Sequence, residues 1–251
     1  MILSRISKRF RQQDWFAVCV ELTVVVLGIF IALQVDQWRE DRTYAHAETL
    51  YLQRLHEDLS GFISDSQLTL SFLRENRAGV AHVDASLAAG RIIDGDTALF
   101  ERGLIYVGHL PAFTLNRSAY EEMVSSGMFA RLNSEAVRRA VSQLYSAQNG
   151  IESNFSWWRD TPIVLERELA THVEYYHGDD STGVLALNSL TTSEPARRVR
   201  FNFDDLAGNP AIRNGYYWAE DTHKDWEESI AGLIDKAEFA DSLVSRELAS
   251  R

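Results

Sequence analysis

Hydrophobic patterning along the chain begins with Trp15–Leu33, nineteen residues of which twelve are Val, Ile, Leu or Phe and whose ionisable side chains are Cys19 and Glu21. About 20 apolar residues at 1.5 Å rise match the hydrocarbon thickness of a bilayer. The apolar side chains favour insertion by about 5 kcal/mol against about 3 kcal/mol for a central acid. The pattern therefore predicts a transmembrane helix over 15–35. From Tyr51 onward, Leu52, Leu55, Leu59, Phe62, Leu73, Val80, Val83 and Leu87 keep one 3-4 heptad register, with Ser66, Thr69 and Asn76 at intervening seam sites. Two readings fit: a weak coiled coil, or a long amphipathic helix packed on its own domain with Ile63, Leu68 and Leu70 widening the stripe. No proline interrupts residues 1–110 and Gly90 suits a helix stop, so the span is expected to continue into a juxtamembrane helix over 36–90. Residues 39–89 would reach about 75 Å if wholly helical, less if the chain kinks near Gly61 or Gly79.

Residues 91–251 suffice for one compact core. Asp96 suits an N-cap for a short helix over 97–107, and Ser118-Ala-Tyr-Glu121 has the form of a capping box closed by Gly127. Asn133-Ser-Glu opens a helix carrying Ala136, Val137, Ala140, Val141, Leu144 and Tyr145, expected to bend near Gly150 and resume through Trp157 to His172. The Gly, Thr and Ser of 178–199 predict an exposed loop with room for a short strand. Asn209-Pro210 supplies an N-cap and an N1 proline for a last long helix with Trp218, Trp226, Ile230, Leu233, Ile234 and Ala237 on one face. The predicted fold class is all-α: an N-terminal transmembrane helix continuing into a long amphipathic helix, with a helical-bundle extracytoplasmic domain over 91–251.

Charge orients this arrangement. Arg5, Lys8, Arg9 and Arg11 precede the span against Asp14, so the tail 1–14 is expected to stay cytoplasmic and the remainder to lie outside. Trp15 and Trp38 bracket the run as interfacial anchors. Residues 39–251 hold 21 Lys and Arg against 33 Asp and Glu, a net of −12. So acidic a domain disfavours docking on nucleic acid or anionic lipid by charge. A cleaved signal peptide is the competing reading, but Ala32-Leu-Gln-Val-Asp36 lacks a small-x-small cleavage site. One cysteine, Cys19, excludes an intramolecular disulfide.

The run Glu21-Leu-Thr-Val-Val-Val-Leu-Gly28 through Ala32-Leu-Gln34 and Trp38-Arg-Glu40, followed by Tyr51-Leu-Gln-Arg-Leu-His-Glu-Asp-Leu59, resembles the N-terminus of a widespread bacterial family of unknown function. Ser118–Gly127 and Arg138–Tyr145 resemble its middle segment. Gln37 and Arg39 stand where that family usually has asparagines beside the tryptophan. The resemblance implies membrane anchorage and a helical outer domain, and no reaction.

Among candidate chemical groups Glu21 is the sharpest. Ala17, Glu21, Val24, Gly28 and Ala32 fall on one helical stripe, and Gly28-Ile-Phe-Ile-Ala32 is a small-xxx-small pattern that lets a second helix approach. An acid there can join helices by hydrogen bonding, be passively tolerated near the cytoplasmic edge, or carry a proton. His172 and His177, with Glu174, Asp179 and Asp180, have no metal-site spacing and read as surface residues; the other histidines are scattered. No nucleophile elbow, dinucleotide fingerprint or P-loop occurs. Trp157-Trp158, Tyr175-Tyr176 and Tyr216-Tyr217-Trp218 suit core packing before a ligand platform. The expected protein is therefore a non-enzymatic, cofactor-free structural or interaction component of the bacterial inner membrane. Its partners would be the lipid bilayer and a second copy or another membrane protein. An accessory subunit of a proton- or ion-linked complex using Glu21 is one alternative. A sensory module with a periplasmic pocket is another, weakened by the short tail of about 14 residues.

Overall fold

The computed structural model describes residues 15–111, 113–177 and 197–251, and 83% of these are helical. Two compact units are present, Met1–Tyr51 and Leu52–Arg251. Helix α1, Trp15–Ala89, runs without interruption and contributes to both. Neither Gly61 nor Gly79 breaks it. It ends where the pattern predicts: Gly90 takes φ +67°, its N–H meets the Leu87 carbonyl at 3.4 Å, and Arg91 N–H meets the Ser86 carbonyl at 3.2 Å. This left-handed closure satisfies carbonyls that the helix end would leave bare.

After a 3-10 turn, Ile93–Gly95, the second unit continues with α2 (Thr97–Tyr106), α3 (Ser118–Ser125), α4 (Met128–Arg131) and α5 (Glu135–Leu169). Then come strands β1 (Val173–His177) and β2 (Arg197–Phe201), a short α6 (Phe203–Gly208) and α7 (Pro210–Ala249). Two N-caps form as expected, Asp96 accepting from Leu99 N–H and Asn209 from Ala211 and Ile212 N–H, and within the Asn133-Ser-Glu start it is Ser134 that caps, accepting from Val137 N–H. The capping box at Ser118 does not. There the Asn116 side chain accepts from Ser118 N–H at 3.0 Å, and Glu121 pairs with Arg117 at 3.2 Å instead of reaching back along the chain. Helix α5 shows no break at Gly150, contains Pro162 and stops at Leu169, three residues before the expected His172.

The all-α expectation holds for most of the fold but misses a two-stranded sheet. β1 and β2 pair antiparallel from Val173 with Phe201 to His177 with Arg197. Val173 and Val199 turn inward and join a core of Val80, Phe100, Leu104, Leu169 and Tyr216. A second cluster holds Leu70, Leu73, Phe113, Trp226, Ile230 and Ile234. Every apolar heptad residue from Leu52 to Leu87 is buried, with Ser66 and Asn76 buried and Thr69 half-buried among them, so the stripe packs on its own domain. Leu68 is the exception to the widened stripe and is exposed, while Leu70 is buried.

Helices α1 and α2 touch at Gly79 and Gly103. A Cβ on Gly79 would lie 2.8 Å from Gly103 N, and one on Gly103 would run into the Gly79 carbonyl. The absence of side chains lets the backbones meet there. On α7 the buried line is Ile212, Tyr216, Ala219, His223, Trp226, Ile230 and Leu233, at alternating spacings of four and three. Trp218, expected on that face, is exposed because it lies about 100° around the helix from Ala219.

Candidate functional site

In the first unit, every large apolar side chain from Val20 to Val35 is exposed, with no sheltered side on the helix. Ordinary soluble helices bury such a stripe. Glu21, Val24, Gly28 and Ala32 lie in this stretch at helical spacing and all are exposed, and nothing stands within 4 Å of where a Gly28 Cβ would be. Thr23 returns its hydroxyl to the Cys19 carbonyl at 2.7 Å, so the polar group nearest Glu21 in sequence is satisfied within the helix. Trp38 is exposed, with the Arg42 guanidinium 5.2 Å from its ring centroid. Among the described residues, one helix is long and apolar enough to cross a membrane, and it lies near the N-terminus. The backbone of Trp15 and Ala17 belongs to this helix; their side chains, and the basic residues Arg5, Lys8, Arg9 and Arg11, lie outside the described residues.

In the second unit, polar side chains of α7 pin the end of α2 and the segment after it. Tyr216 donates to the Gly103 carbonyl at 3.2 Å, His223 Nε2 to the Val107 carbonyl at 2.8 Å, and Trp226 Nε1 to the Pro111 carbonyl at 3.2 Å. The Tyr175 hydroxyl of β1 adds a 3.4 Å bond to the Leu104 carbonyl. These donors serve carbonyls at the α2 C-terminus that have no helical partner, and loop carbonyls beyond it. Burial pushes the Tyr175 phenol up to about 12 and Tyr216 well above its ordinary value. Burial likewise pulls His223 down to about 4, against the upward pull of the Val107 bond, and lowers His109. Sequence reasoning passed over His223. Its signal was position, a polar residue inside the α7 stripe between Ala219 and Trp226.

Between α1 and α7, Arg74 and Arg77 reach Glu227 at 2.9 Å each, and Arg77 reaches Glu220 at 3.4 Å. Burial alone would raise Glu227, but hydrogen bonds from Arg74 and Arg77 hold its carboxyl below the ordinary value. Asn76, one residue away, is buried with neither amide atom partnered among the described residues. This cluster locks two helices and has the groups of a structural ion pair.

The other sequence candidates divide. His172 lies 3.7 Å from Glu168 and 3.1 Å from Asn209 Nδ2, whereas His177 ends β1 opposite Arg197. No group of three or more His, Cys, Asp or Glu is placed to hold a metal among the described residues. Asp179 and Asp180 lie outside those residues. The aromatic clusters split: Tyr216 and Trp226 are buried and Trp158 packs on Trp226 at 5.1 Å, but Trp157, Tyr217 and Trp218 are exposed.

The architecture defines a mainly helical protein with one long apolar helix near its N-terminus. The chain belongs to a family of unknown function, DUF6090, whose model matches residues 21–149. The match begins at Glu21 and contains both segments on which the sequence resemblance rests. No curated protein and no solved structure gives a significant match.

Proposed function

We infer that this protein is a single-pass anchor of the bacterial inner membrane, with its tail in the cytoplasm and its acidic helical domain in the periplasm. It works by holding partners and catalyses no reaction. The observation that carries this reading is the wholly exposed apolar surface from Val20 to Val35 on an unbroken helix. Lipid is the cover such a surface calls for, because an apolar patch of that extent in water is rare. The stripe Ala17, Glu21, Val24, Gly28, Ala32 then receives a second copy or another membrane helix. Gly28 and Ala32 permit close van der Waals approach, and Glu21 hydrogen-bonds across the contact.

Crosslinking in native membranes tests the stripe. Gly28→Leu is expected to reduce the crosslinked species by about tenfold, the scale of 1–2 kcal/mol for such contacts. Equal crosslinking of wild type and variant would reject the interface. A second reading keeps the anchor but makes Glu21 a proton carrier in an ion-linked complex, favoured by its place within the apolar stretch. Glu21→Gln separates the two. An amide still donates and accepts across helices, so assembly and cellular phenotype should both survive. A variant that assembles fully yet behaves as a deletion would favour the carrier.

A further inference from the structure

A groove of about 430 Å³ lies in the second unit between α5 and α7. Its floor is set by close packing: a Cβ on Gly215 would lie 2.6 Å from Leu165 Cδ1, so the α7 backbone rests directly on a buried side chain of α5. Above that floor each helix carries a stripe. On α5 it runs Trp157, Asp160, Val164, Glu168, and on α7 Ala211, Asn214, Trp218, Asp221, Asp225, at spacings of three and four that keep each set on one face. Trp157 and Val164, 69% and 65% exposed, are the most exposed large hydrophobic side chains among the described residues of the second unit, and Trp218 beside them is 56% exposed. Scattered apolar residues on a surface need no explanation, but three that flank one groove mark a contact surface.

Charge says what covers it. Asp160, Glu168, Asp221 and Asp225 stand on the two stripes, and neither stripe holds a Lys or Arg. Glu168 is fixed in place by Asn209 Nδ2 at 3.0 Å, and Asp160 has no ion pair among the described residues. An apolar middle with acidic edges complements an apolar face edged by cations. A second copy of this chain is a poor fit, because residues 39–251 carry a net −12 and would set acid against acid. Shape favours a helix. From Trp157 to Glu168 the α5 stripe extends about 16 Å, about three helical turns, and the trough between two packed helices takes a third by ridge-and-groove packing.

We propose that this groove binds a basic amphipathic helix of a partner protein. The apolar residues of that helix lie against Trp157, Val164 and Trp218, and its Lys or Arg side chains face the carboxylates at either edge. Every residue involved belongs to the second unit, so the inference stands apart from the contact proposed for the span.

The six tryptophans make the test site-specific. The full chain, labelled with 5-fluorotryptophan and held in phosphatidylcholine nanodiscs, is titrated with a helix-forming peptide of about 14 residues that has a Leu face and Lys edges. Fluorine NMR follows each signal, assigned by Trp→Phe variants. The Trp157 and Trp218 signals are expected to move together and saturate, while those of buried Trp226 and of Trp15 and Trp38 stay in place. A twin peptide with Glu for Lys should bind at least about tenfold more weakly. Val164→Lys favours the helix but puts a cation in the groove, and should weaken binding at least about tenfold without loss of helical signal. Trp218→Ala, read through Trp157, should do the same. No saturable shift at millimolar peptide would overturn the proposal, as would a Glu twin or a Val164→Lys variant that binds like the originals. Trp157 and Trp218 signals indifferent to replacing H2O by D2O before peptide is added would also overturn it, since something else then covers the groove. Movement of the Trp15 and Trp38 signals in their place would contradict it too, marking peptide dissolved in lipid.

Discussion

His223 faces a carbonyl through Nε2, and a carbonyl can only accept, so the neutral ring carries its proton there and leaves Nδ1 bare. Its folded-state value of about 4 lies below the ordinary value near 6.5, which fixes the sign of its pH effect. On acidification the unfolded chain takes up the proton first. The stabilisation is fully present above about pH 6.5 and is lost as pH falls toward 4. The loss is on the order of 2 kcal/mol between pH 7 and 4.5. His223→Gln retains a donor for Val107 but does not titrate, so denaturant unfolding of the full chain in detergent should show a shallower pH dependence for the variant by about that amount. Identical slopes would contradict the assignment. The place of His223 in the α7 stripe is visible in sequence, but its partner is not, because the Val107 carbonyl lies 116 positions away.

At the scale of elements, local chemistry was the legible part. Asp96, Ser134 and Asn209-Pro210 start helices and Gly90 stops one because each acts on backbone groups within a few residues. The reading of 178–199 left room for a short strand, and β2 begins there at Arg197, but the sheet itself was not legible, since Val173 finds its partner Phe201 across a long intervening segment and pairing of that kind leaves no local signature. Large side chains also misled: periodicity favoured Trp218, whereas close packing on α7 uses Ala219 and His223. The groove joins residues near 160 to residues near 215, so its acids read in sequence as ordinary solvated charge. Glycines make the contrast testable. Gly103→Ala gains about 1 kcal/mol in helix propensity but pushes a methyl into the Gly79 backbone, an overpacking of about 3 kcal/mol that the flanking turns cannot relieve. Gly232→Ala has nothing within 4 Å and gains the propensity alone. Thermal unfolding should fall for the first variant and rise for the second. A Gly103→Ala protein as stable as wild type would show that α1 and α2 do not meet there.

For the whole molecule, two kinds of surface coexist in one chain. Leu52–Arg251 hides its apolar heptad residues and pins its carbonyls with Tyr216, His223 and Trp226, as a protein in water does. Met1–Tyr51 leaves Val20 to Val35 uncovered. The family match reaches across both. The long apolar helix was legible because length and apolarity are properties of composition. The central claim, that 15–35 crosses the membrane with the acidic domain outside, is tested most directly by a reporter active only outside the cytoplasm and fused after Arg251 in bacterial cells. The account predicts an active reporter, lost when the span is deleted; a reporter that is inactive although the full fusion accumulates in the membrane would contradict it.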